Sequence, residues 1–147
     1  MKTKNTPYRF VEWSSPDELH EVTLLWRSEL EFIKDEQHFL DELIKNHTLQ
    51  LISEPLYKKS LETVSDLKNE KKQLKALLEK VKDHTNKLEI LVDGVNQPQE
   101  EKKYKQDHYV LKVDVERYLQ DYRETKKDIF DLVKLILRKE KEQRLLK

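Results

Sequence analysis

The chain has 147 residues, enough for one domain with a sizeable core, and combines 39% charged with 36% apolar residues, one Gly, four Pro and no Cys. A single Gly argues against phosphate-cradling loops and β-rich folds, which use several Gly at positive φ. The absence of Cys removes thiol catalysis, disulfides and thiolate metal sites, and it suits a reducing cytoplasm. Lys plus Arg equals Asp plus Glu, 29 each, so the basic excess of a dedicated nucleic-acid binder is missing.

Disorder competes as a reading of so much charge, yet Leu, Ile, Val and Phe recur in register almost throughout, which predicts a folded helical protein. Residues 1–14 form a lead segment with Tyr8, Phe10 and Trp13. Without a second strand to pair with, it is expected to be extended and to fold its aromatics over one end of a bundle. Two early lysines are followed by no apolar stretch, so neither a secretory signal nor a membrane span is expected. A cytoplasmic location follows as the default.

Ser15 is a natural N-cap, Pro16 fits the first helical position, and Asp17 and Glu18 suit the positive end of the helix dipole. Ser15 and Glu18 also have the spacing of a capping box. The first helix is expected over about 16–52, with Asn46-His47-Thr48 as an earlier stop. Its main apolar stripe is Leu19, Val22, Trp26, Ile33, Leu40 and Leu43.

Ser53-Glu54-Pro55 restarts the chain as cap and first turn. The second helix then runs to about 92, with Val64, Leu67, Leu74, Leu78, Val81, Leu88 and Val92 in its core positions. Asp93-Gly94 ends it, Gly serving the left-handed turn. Asn96-Gln97-Pro98 offers another start, but residues 99–107 hold only Tyr104 as a core candidate, so that stretch reads as loop or exposed extension. Tyr109, Leu111, Val113 and Val115 alternate as a strand would. Helical spacing continues from Leu111 through Tyr122, Ile129 and Ile136, so a third helix is expected over about 108–145. Three helices of about 36–38 residues, each roughly 55 Å long, would form an all-α, elongated antiparallel three-helix bundle with coiled-coil-like packing. Residues 15–147 are taken as one domain.

The first helix carries one apolar row more than two neighbours require. Leu25, Phe32 and Phe39 sit seven apart on one flank, with Leu30, Ile44 and Leu51 on the other. Lys68, Lys75 and Lys82 occupy a flank of the second helix, and Asp114, Asp121 and Asp128 one of the third. Either the lead segment covers the extra surface, or Leu25, Phe32 and Phe39 are an interface, with a two-fold dimer as the commonest solution.

A buried polar layer is also expected. Folding the helices together brings Glu36 near Lys71, with Tyr118 or Tyr122 at similar height. Such a layer fixes register in the manner of a buried polar residue in a coiled coil, and a charged ligand pocket is the alternative.

A carboxylate-bridged metal site would draw on Glu29, Glu36, His47, Asp17/His20, Asp35/His38, His84 and His108. Asp35, His38 and Glu42 fall on the polar side, however, and no Glu-x-x-His pair occurs, so surface or core-edge histidines are expected. The lysine run Lys68, Lys71, Lys72, Lys75, Lys80, Lys82 and Lys87 is diluted by Glu70, Glu79 and Asp83 and lacks aromatics for base stacking, which reads as a solvated face. The mixed tail around Arg138 ends in Leu145 and Leu146, which would anchor it or contact a partner. With no Cys and no nucleophile elbow, enzymatic activity is not expected. The function read from the sequence is a non-catalytic interaction or scaffold protein, self-associating through the first helix, with no cofactor, nucleic acid or membrane. A metal- or small-ligand-binding bundle is the alternative.

Overall fold

A computed structural model describes residues 11–53, 55–93 and 98–146, and these residues are all-α, with no strand among them. After a helical turn at residues 11–13, the elements are α1 (Pro16–Asn46), α2 (Thr48–Leu51), α3 (Tyr57–Asp93) and α4 (Pro98–Leu146). Three are long and one is a single turn.

The start of α1 follows its sequence signals. The Ser15 N–H donates to Glu18 Oε1 at 2.9 Å and the Glu18 N–H donates to Ser15 Oγ at 3.2 Å, the reciprocal pair of a capping box. That hydrogen bond from the Ser15 backbone also holds the Glu18 carboxyl below its usual range.

Three boundaries differ from the sequence expectations. α1 ends at Asn46 rather than near 52, and a separate turn follows. Side chains at the break bond to the backbone: Thr48 Oγ1 donates to the Lys45 carbonyl at 2.9 Å, and His47 Nδ1 sits 2.8 Å from the Leu43 carbonyl. Ser53 does not cap the next helix. Its hydroxyl donates back to the Gln50 carbonyl at 2.7 Å, and α3 starts only at Tyr57. α4 begins at Pro98, ten residues before the expected start, because Tyr104 and His108 both have a core to enter.

The described chain divides into two compact units, the first drawing on residues up to Phe32 and on Leu74–Arg117, the second on Ile33–Gln73 and residues from Tyr118 onward. In the first, Val11, Leu19, Leu88 and Tyr104 cluster, with Leu91 and Tyr109 packed against them. In the second, Leu51, Leu132 and Ile136 cluster with Ile44 and Leu56.

Each long helix buries two series with heptad spacing. On α1 these are Leu19, Trp26, Ile33 and Leu40, and Thr23, Leu30 and Gln37. Leu30 is therefore core rather than flank, and Val22 is exposed where Thr23 is buried. On α3 the first series is Ser60, Leu67, Leu74, Val81 and Leu88, and the second is Thr63, Glu70, Leu77 and His84. The second series lies one residue from the expected Val64, Lys71 and Leu78, and Val64 is exposed. On α4 Tyr104, Leu111, Tyr118, Thr125 and Leu132 alternate with His108, Val115, Tyr122, Ile129 and Ile136.

Of the lead segment, Tyr8 and Phe10 lie outside the described residues. Val11 is buried, whereas Trp13 is 75% exposed and does not fold inward.

Candidate functional site

The apolar row expected on α1 lies in solvent. Leu25, Phe32 and Phe39 are 61%, 65% and 56% exposed, while Trp26, Ile33 and Leu40, each one residue further on, are buried. The physical reason is angular: a step of one residue turns about 100° around a helix axis, enough to carry a side chain from core to solvent. Of the two flanks expected on this helix, the Leu30 side has gone into the core, and the Phe32 side has not.

The polar layer lies in the second unit and is built differently from the expected one. Glu36 and Tyr122 do meet: the Tyr122 hydroxyl donates to Glu36 Oε1 at 2.8 Å. The cation on the same oxygen is Lys126, whose Nζ donates at 3.1 Å and lies 5.6 Å from the centre of the Tyr122 ring. Lys71 is not part of the layer. It is half-buried and pairs with Asp41.

The buried neighbour of Lys71, Glu70, takes the core position instead. Thr125 Oγ1 meets Glu70 Oε2, the Tyr118 hydroxyl donates to the Glu70 backbone carbonyl at 2.8 Å, and Gln37 Nε2 donates to the Tyr118 hydroxyl at 3.0 Å. The Tyr118 and Tyr122 rings lie parallel with centres 6.3 Å apart.

Glu70 Oε1 is buried without a hydrogen-bond partner among the described residues. Burial pushes the Glu70 carboxyl up to about 7, with Asp66 and Asp121 adding to the rise and the Thr125 hydroxyl opposing it. The Thr125 hydroxyl has one proton but two neighbours, Glu70 Oε2 and the Asp121 carbonyl at 3.2 Å. A protonated Glu70 satisfies both, donating to Thr125 while Thr125 donates to Asp121. Burial likewise raises the Tyr118 and Tyr122 hydroxyls far above the usual phenol range, so they act as neutral donors.

The first unit holds a second polar group. His84 and His108, expected at the surface or core edge, are 5% and 1% exposed. Their rings are bonded, His84 Nε2 to His108 Nδ1 at 2.8 Å. Tyr104 stacks on His84 with ring centres 4.1 Å apart and donates its hydroxyl to the His84 carbonyl at 3.1 Å. Trp26 stacks on His108 at 4.7 Å. Burial pushes His84 down to about 4 and His108 to about 3, with Lys87 and Lys112 adding their repulsion.

Of the other metal-ligand candidates, Glu29 and His38 are exposed, and His47 bonds to a backbone carbonyl. Among the described residues no three His, Cys, Asp or Glu side chains gather as ligands. No described helix is long and apolar enough to cross a membrane.

Comparison of the chain with protein-family models, with curated proteins and with solved structures returns no match.

Proposed function

We propose that this chain is a non-catalytic helical interaction or scaffold protein that self-associates through α1. The observation that carries this reading is the row Leu25, Phe32 and Phe39, each more than half exposed on a helix that buries Leu19, Trp26, Leu30, Ile33 and Leu40. Leaving these two Phe and one Leu more than half in water forgoes roughly 1–2 kcal/mol of burial for each side chain, a gain that association recovers. A two-fold dimer is the commonest arrangement for such a surface. A reducing cytoplasm suits a chain without Cys.

The finer architecture in this reading is three long helices packed antiparallel in sequence order. The order of contacts within the second unit supports it. In the second, Glu70 meets Thr125 and Lys59 meets Asp128, so numbers fall on α3 as they rise on α4. Gln37 meets Tyr118 and Gln50 meets Glu140, so α1 and α4 rise together. The layer of Glu36, Tyr122, Lys126, Gln37, Tyr118 and Glu70 serves register, since each bond in it requires one vertical alignment of its helices.

The test is Phe32→Glu combined with Phe39→Glu, compared with wild type by sedimentation velocity and circular dichroism. The reading expects a folded variant that sediments as a monomer beside an associated wild type. A variant that associates as wild type does would refute α1 as the interface.

A further inference from the structure

Resting on the self-association reading, we infer that the exposed α1 row of one copy takes the C-terminal strip of α4 from a second copy, antiparallel. Near its end α4 exposes Phe130, Leu137 and Leu145, and Lys127, Lys134 and Lys141 are exposed beside them. Phe130 and Leu137 repeat every seven residues, as Leu25, Phe32 and Phe39 do, so both strips have a period of about 10.5 Å along their helices.

The α1 strip carries two acids and the α4 strip three lysines, in mirrored order, and Lys127 also pairs with Asp131 on its own helix at 3.0 Å. On α1 an exposed polar residue follows each apolar one by three positions: Ser28, Asp35 and Glu42. On α4 an exposed lysine precedes each of Phe130, Leu137 and Arg144 by three positions. Reversing one helix turns "follows" into "precedes". Antiparallel pairing therefore sets Phe32 on Leu137, Phe39 on Phe130, Asp35 on Lys134 and Glu42 on Lys127, while the outer rung sets Leu25 beside Arg144 and Ser28 beside Lys141.

A second α1 does not fit its own row in this way. Parallel alignment sets Asp35 on Asp35 and Glu42 on Glu42, and antiparallel alignment sets acids against Phe or against one another. Like charges across an interface suppress a pairing, and opposite charges fix its register. Because the whole chain has a formal net charge of zero, no overall repulsion opposes the approach of two copies.

The test uses full-length chains carrying charge reversals at these exposed positions. One variant combines Asp35→Lys with Glu42→Lys, and the other combines Lys127→Glu, Lys134→Glu and Lys141→Glu. Sedimentation measures association, and circular dichroism confirms that each variant is helical. Each variant alone is expected to associate at least about tenfold more weakly than wild type. An equimolar mixture is expected to recover association, because the reversed α1 of one then meets the reversed α4 of the other. The α4 variant decides between partners: if it associates as wild type does, while Phe32→Glu with Phe39→Glu yields monomers, the α4 assignment is wrong and self-association through α1 stands. If wild type is monomeric at every concentration, both are wrong.

Discussion

His84 Nε2 lies 2.8 Å from His108 Nδ1, and the two imidazoles sit between the rings of Tyr104 and Trp26 in the core of the first unit. A ring-to-ring bond needs one nitrogen with a free lone pair, so two imidazolium ions cannot share it. The pair is thus a place where the fold resists protonation.

The first expected outcome is acid lability. Both histidines have folded values, about 4 and about 3, below the usual 6.5. Their contribution to stability is complete above 6.5 and is lost as pH falls through the folded values. Over that window stability should fall by about 1.4 kcal/mol per pH unit for each proton that only the unfolded chain binds. Urea melts between neutral and acid pH measure this slope. His84→Phe with His108→Phe should flatten it, whereas His84→Phe alone strands the His108 nitrogen and should cost about 1–3 kcal/mol at neutral pH.

Glu70 has the opposite sign. Its folded value, about 7, lies above the usual 4.5, so its contribution is complete below 4.5 and is lost as pH rises through 7. Glu70→Gln keeps the shape without the ionisation. It should be more stable than wild type above neutrality by about 1–3 kcal/mol and should lose that advantage in acid. Identical alkaline limbs for the two proteins would show that Glu70 remains ionised in the fold.

The Glu36 contacts yield a third outcome. A double-mutant cycle of Glu36→Gln with Lys126→Met should show coupling of about 0.5–1 kcal/mol, because Lys126 donates to the Glu36 oxygen that also accepts from Tyr122 and lies over the Tyr122 ring. The same cycle with Lys71→Met should be additive, since Lys71 pairs with Asp41.

Phe39 and Leu40 are adjacent and should behave oppositely. Leu40 is fully buried, and Leu40→Ala should cost about 2–5 kcal/mol of folding stability. Phe39→Ala, on the exposed side, should change the stability of the isolated chain by less than about 0.5 kcal/mol. Thermal melts at a dilution where only monomer is present separate the two.

The start of α1 was legible in the sequence because its signals are local. Ser15, Pro16 and Glu18 specify a cap within four residues, and the structure contains it. The phase of each core was less legible. On α3, Leu67, Leu74, Val81 and Leu88 fit two heptads equally well, one continuing through Val64, Lys71 and Leu78, the other through Thr63, Glu70, Leu77 and His84. Apolar content favours the first.

The fold adopts the second, in which partners distant in sequence meet two of its polar members, Thr125 at Glu70 Oε2 and His108 at His84, while Thr63 Oγ1 and Glu70 Oε1 are buried without a hydrogen-bond partner among the described residues. The same one-residue ambiguity on α1 exchanged Val22 for Thr23 and drew Leu30 inward. It likewise hid Glu70 behind Lys71 in the polar layer. The early start of α4 was hidden for a related reason, since Tyr104 and His108 have a place to pack only once His84 faces them.

The mass of the wild-type chain in solution reports self-association without any substitution. Sedimentation equilibrium over a wide concentration range, at neutral pH and low salt, should show the apparent mass rising from that of one chain toward twice that value. A mass that stays at one chain up to high micromolar concentration would rule out self-association and leave the Leu25, Phe32 and Phe39 row without its proposed role.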